Sequence, residues 1–89
     1  MEIIIQQIEL LERMDRLIRL QATGSPEECA SLLKVSKTKL YRVINLMKTL
    51  NAPIKYNTTI QSYIYIEPTD FKFGFYKNQI ESLINKDMI

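Results

Sequence analysis

Two helix starts stand eleven residues apart in this chain, and together they restrict its fold more than any other feature. Ser25-Pro26-Glu27-Glu28 is the first. Serine before a helix accepts a free backbone N–H, proline suits the first helical position, and Glu28 reaches back to complete a capping box. Ser36 is the second start. The spacing predicts a short helix from Pro26 to about Leu33, a turn at Lys34-Val35, and another helix from Lys37 to about Leu50. On that helix Leu40, Val43, Ile44, Met47 and Leu50 recur at helical spacing and form the expected buried stripe. Asn51 suits a left-handed helix end, and Pro53 prevents continuation.

Residues 2–21 read as a long helix ahead of this pair. Ile4, Ile8, Leu11, Met14 or Asp15, and Ile18 follow the helical period, widened by Leu10 and Leu17. Glu9–Arg13 and Glu12–Arg16 are i,i+4 pairs in the favourable order. Thr23-Gly24 then breaks the helix, with Gly24 placed for a C-terminal cap or turn. After Pro53, Ile54-Lys55-Tyr56 and the Tyr- and Ile-rich residues 62–66 read as strands joined by the polar turn 57–61. Phe71 to Phe75 alternates and reads as a further extended piece. Ile80, Leu83 and Ile84 predict a C-terminal helix within 78–86. The expected class is mainly α with a small β-hairpin (α+β), a three-helix core with a C-terminal extension. Residues 1–70 form the expected domain; 71–89 belong to the same unit or serve dimerisation.

The net charge is +2, but it is unevenly spread. Residues 29–66 contain no Asp or Glu and hold Lys34, Lys37, Lys39, Arg42, Lys48 and Lys55, a charge of +6. The remainder holds 6 basic and 10 acidic residues, a charge of −4. A basic middle between acidic flanks calls for an anionic partner.

The helix pair also has the internal spacing of a helix-turn-helix. Ala30 is the small residue that permits a close crossing, Lys34-Val35-Ser36 is the turn, and Leu40 and Val43 lock the helices together. Lys37, Thr38, Tyr41, Arg42, Asn45 and Lys48 are left on the outer face. Lys and Arg can read guanine in a major groove, Asn can read adenine, and the others can contact phosphates. Lys37 and Lys39 occupy a first turn that electrostatically prefers anions, and an arriving phosphate would offset that mismatch.

The stretch SPEECASLLKVSKTKLYRVINLMKTLNAPIKY, followed by SYIYI, resembles the winged-helix domain that opens DeoR-type and WYL-type bacterial regulators. The resemblance covers about residues 13–67. Ala30, Val35, Ser36, Leu40, Arg42, Met47, Pro53 and Ile54 fall on matching positions. It implies a winged helix-turn-helix that binds double-stranded DNA specifically and regulates transcription, with helix 37–50 in the major groove. By this resemblance Lys37, Thr38, Tyr41 and Arg42 face the DNA, with Lys55 near the wing; together with the outer-face reading the expected DNA-binding set is Ser36, Lys37, Thr38, Lys39, Tyr41, Arg42, Asn45, Lys48 and Lys55. Lys34 stands where the family usually has a turn glycine, and positive φ at a lysine costs about 1 kcal/mol. Lys39 stands where threonine is usual, and the wing tip, 57–61, carries no Arg or Lys.

Composition also excludes. There is no His, the commonest acid–base residue and metal ligand. Cys29 has no base to activate it, and no glycine-rich phosphate loop exists. No enzyme activity, cofactor or metal site is expected. Cys29 reads as packed behind the helix pair, the methionines as core fill, and Tyr56, Tyr63 and Tyr65 as strand packing. A lone cysteine fits a reducing cytoplasm. Met1 to Leu11 lacks the basic start of a signal peptide, and no apolar run approaches the roughly 20 residues of a membrane span. With 22 residues after Glu67, no effector domain or small-molecule effector is expected. Ile3, Ile4, Ile5 and Ile8 exceed what a small core covers, so a homodimer through the N- and C-terminal helices is expected. The alternative is a protein–protein module of the same fold without DNA binding, against which the acid-free run argues.

Overall fold

The structure is a computed structural model and describes residues 2–72. Three helices, α1 (Glu2–Arg19), α2 (Pro26–Leu33) and α3 (Lys37–Thr49), are followed by β1 (Ile54–Asn57) and β2 (Ser62–Tyr65). The strands pair antiparallel with Ile54 opposite Tyr65 and Asn57 opposite Ser62. Among the described residues the architecture is α+β, three helices and one hairpin. No described helix is long and apolar enough to cross a membrane.

Both expected caps form. Ser25 Oγ accepts from Glu28 N at 3.2 Å, and Glu28 Oε1 accepts from Ser25 N at 2.8 Å. Ser36 Oγ accepts from Lys39 N at 3.0 Å. A cap of this kind contributes about 0.5–2 kcal/mol.

All three helices end the same way, with one residue in the left-handed region. Gln21, Lys34 and Asn51 take φ of 52°, 59° and 74°. Each donates its N–H three residues back, and its successor donates five back: Ala22 to Leu17 O, Val35 to Ala30 O, Ala52 to Met47 O. This is the Schellman closure of a helix end. Positive φ was expected at Lys34 and Asn51. It was not expected at Gln21, which ends α1 two residues earlier than the apolar period suggests. Gly24 is therefore no helix terminator. Its φ of +71° instead brings the backbone against Glu28: a Cβ there would lie 2.8 Å from Glu28 Oε1. The capping box needs a glycine at this point.

The core lies where α1, α2, α3 and the hairpin meet. Leu10, Leu11, Met14 and Ile18 come from α1; Cys29, Ala30 and Leu33 from α2; Leu40, Val43, Ile44 and Met47 from α3; Ile54 and Tyr63 from the strands. Burying one large apolar side chain contributes about 1.5–3 kcal/mol. Cys29 is fully buried, and its thiol donates to Met14 Sδ at 3.6 Å. Tyr56 and Tyr63 meet edge to face with centroids 4.9 Å apart. Tyr65 donates to Asp15 Oδ1 at 2.6 Å and carries the Arg19 guanidinium over its ring.

Several expectations are corrected. The α1 stripe runs past its partners: Ile4 is 58 % exposed, and Ile8 is only half-buried. Leu50 is 58 % exposed, because α3 closes at Thr49 and turns it off the core side. Among the described residues the ion pairs of α1 are Arg19–Asp15 and Arg19–Asp70. Neither Glu9–Arg13 nor Glu12–Arg16 forms; Arg13 instead donates to Leu32 O at 3.0 Å, tying α1 to the end of α2. Phe71 and Lys72 are not in a strand, although Phe71 packs on the core. Residues 73–75 of that extended run and the helix expected within 78–86 lie outside the described residues.

Candidate nucleic-acid interface

Helix α3 presents one long outward face. Its inner side is fixed by Leu40, Val43, Ile44 and Met47, all buried. Helical geometry then forces the intervening positions outward. Lys37, Thr38, Tyr41, Arg42, Asn45 and Lys48 are all exposed. The helix contains no carboxylate. The six side chains picked from the sequence are thus brought together on one surface.

The other three sequence-selected residues are placed differently. The Ser36 hydroxyl is occupied as the cap of α3. Lys39 is half-buried and turns from the main face into an open groove of about 620 Å³. That groove runs between α1 and the α2–α3 turn, lined by Ile3, Gln7, Leu10, Arg13 and Val35. Lys55 is exposed on β1, in register with Ile64. At the hairpin tip Asn57 Oδ1 accepts from Thr59 N at 2.9 Å and Ile60 N at 3.2 Å. This internal bonding shapes the turn. Thr58, Thr59, Ile60 and Gln61 are exposed there and uncharged.

Comparison with protein-family models, curated proteins and solved structures returns no match.

One contact at the interface was missed in the sequence reading. Lys37 Nζ donates to Glu27 Oε1 at 2.9 Å, joining the first turn of α3 to the first turn of α2. The hydrogen bond and charge of Glu27 raise the Lys37 pKa, and the same bond to Lys37 lowers that of Glu27. The cation at the start of α3 is therefore balanced within the chain, and its placement gives no separate argument for an incoming phosphate. The sequence shows both charges, but not the packing of α2 against α3 that brings them together.

Cys29 and the hairpin tyrosines are not at this surface. Burial lifts the Cys29 thiol from 9.0 to about 11 and the Tyr63 phenol from 10.0 to about 12. The thiol thus stays protonated and weakly nucleophilic. No group of three or more metal-ligating side chains occurs among the described residues.

Proposed function

We propose that this chain is a small winged helix-turn-helix protein that binds double-stranded DNA and regulates transcription. In this reading α3 enters the major groove and the β1–β2 hairpin is the wing. The observation that carries it is the outward face of α3, where six polar or basic side chains are exposed with no acid in the helix. The resemblance to DeoR-type and WYL-type regulators supports the same reading.

The residues divide by chemistry. Arg42 and Lys48 suit guanine edges or phosphates, Asn45 suits adenine, and Thr38 and Tyr41 suit the sugar–phosphate backbone. Lys55 adds a cation on the wing. The uncharged wing tip leaves most of the electrostatic attraction to α3. Neutralising about six phosphates gives a log–log salt slope of about −5. The site needs no cofactor, and we assign it no catalytic role.

We further propose a homodimer through the protruding end of α1. Ile3, Ile4 and Ile5 are 73 %, 58 % and 52 % exposed there. Two-fold symmetry would set the two α3 helices about one DNA turn apart. The same exposed isoleucines favour the second reading, a protein–protein module without DNA binding.

Anisotropy titration of a mixed-sequence duplex at about 50 and about 200 mM salt tests the assignment. Micromolar binding that collapses at the higher salt is expected. Lys37→Glu with Arg42→Glu should abolish it while the circular dichroism of the fold persists. A folded parent that ignores DNA at the lower salt transfers the assignment to the protein–protein module. A monomeric mass by light scattering at roughly tens of micromolar would remove the dimer.

A further inference from the structure

Resting on the DNA-binding reading, we propose that Glu27 is a built-in competitor for the DNA phosphate. It holds Lys37 in the free protein, so sequence-independent binding must first break an internal ion pair. Three observations carry this. Glu27 Oε1 lies 2.9 Å from Lys37 Nζ, and both side chains are largely solvent-exposed, so an incoming phosphate can reach the pair. The neighbouring carboxylate, Glu28, is committed to the Ser25 N–H, so of the two adjacent acids only Glu27 is turned to α3. Finally, after Glu28 no Asp or Glu occurs until Glu67, and Glu27 is the one carboxylate bonded to a cation of the acid-free basic run among the described residues.

The consequence falls on the phosphate contact. Non-specific affinity comes from phosphate contacts alone, and base contacts supply discrimination. An internal carboxylate on one phosphate-seeking lysine lowers the electrostatic part of the affinity, which specific and non-specific complexes share, and leaves the base contacts expected of Arg42 and Asn45 untouched. Glu27 thereby sets the overall affinity without contacting a base and leaves the ratio of specific to non-specific binding unchanged.

The test compares the parent, Glu27→Gln, Lys37→Gln and the double variant on a mixed-sequence duplex, across a salt series. Glu27→Gln should tighten binding by about 1.4- to 5-fold, the range spanned by exposed ion pairs. Because Lys37 meets the phosphate in both proteins once Glu27 is displaced, the salt slope should change by less than about 0.9, the increment of a whole phosphate contact. Lys37→Gln should cost more affinity in the Glu27→Gln background than in the parent. Glu67→Gln removes an equal charge beyond the end of β2 and should leave affinity near the parental value. The proposal is overturned if Glu27→Gln binds like a DNA-binding parent, and the DNA reading then survives. It is equally overturned if Glu67→Gln tightens binding as much, since net charge would then be the cause. If neither parent nor Glu27→Gln binds DNA, the DNA reading itself falls.

Discussion

Lys34 holds φ 59° and ψ 43° with its side chain in solvent. A Cβ in this region costs about 1 kcal/mol, and the two hydrogen bonds that close α2 hold it there. Lys34→Gly is therefore expected to raise stability by up to about 0.5 kcal/mol, after allowing about 0.5–1 kcal/mol for the greater freedom of glycine in the unfolded chain. The urea midpoint checks this; a fall would show that the lysine side chain outweighs its backbone strain. Gly24 is the converse. A Cβ on it would meet Glu28 Oε1 at 2.8 Å and Glu28 Cβ at 2.9 Å, so Gly24→Ala should open the capping box and lower the midpoint. These two residues differ in how far the sequence reveals them. The turn at Lys34 follows from the two helix starts around it. The role of Gly24 depends on where the Glu28 side chain lies, and that depends on the path of the loop. Gln21 was not legible at all, since glutamine has no preference for the left-handed region.

At the scale of elements, the α1–α2 loop is stitched to the outer edge of β2. Tyr63 N donates to Thr23 Oγ1 at 2.8 Å, and Thr23 N donates to Ser62 Oγ at 3.3 Å. The two hydroxyls lie 3.1 Å apart, and Thr23 and Ser62 are both fully buried. One threonine thus does for the strand edge what a further strand would do, satisfying polar groups that burial would otherwise leave unpaired. Thr23→Val keeps the shape and removes the acceptor, so it should cost about 1–3 kcal/mol, the penalty for an unsatisfied buried donor. Chemical denaturation measures it, and loss of protection at the Tyr63 amide in hydrogen exchange assigns it to this contact. A neutral result would mean the hairpin is held by its apolar side alone. Helices α2 and α3, their caps and the hairpin were readable because each is specified by neighbours in the sequence. The stitch joins residues 39 apart, and a lone threonine in a loop gives no local sign of it. For the same reason, the sequence placed the outer face of α3 correctly but missed the Glu27–Lys37 pair across two helices.

For the whole molecule, burial raises the Cys29 thiol to about 11 and the Tyr63 phenol to about 12. Burial also raises Tyr65, with the hydrogen bond to Asp15 adding to it. The folded state thus keeps protons that the unfolded chain has already released. Stability is complete below the ordinary thiol value of 9.0 and falls as pH rises towards about 12. Urea midpoints taken across this interval should decline steadily, and a flat profile would contradict the burial of both groups. The exposed Ile3, Ile4 and Ile5 of α1 are the surface on which the proposed homodimer rests, and that proposal makes solution behaviour depend on protein concentration. Cys29 adds an experimental handle. It is the chain's one cysteine, and none of its surface reaches solvent. A thiol-reactive dye can therefore mark a molecule only during the intervals when its interior is open. The labelling half-life makes this thiol an internal clock, and any true ligand of the folded state, duplex or protein, should slow it in proportion to how tightly it binds.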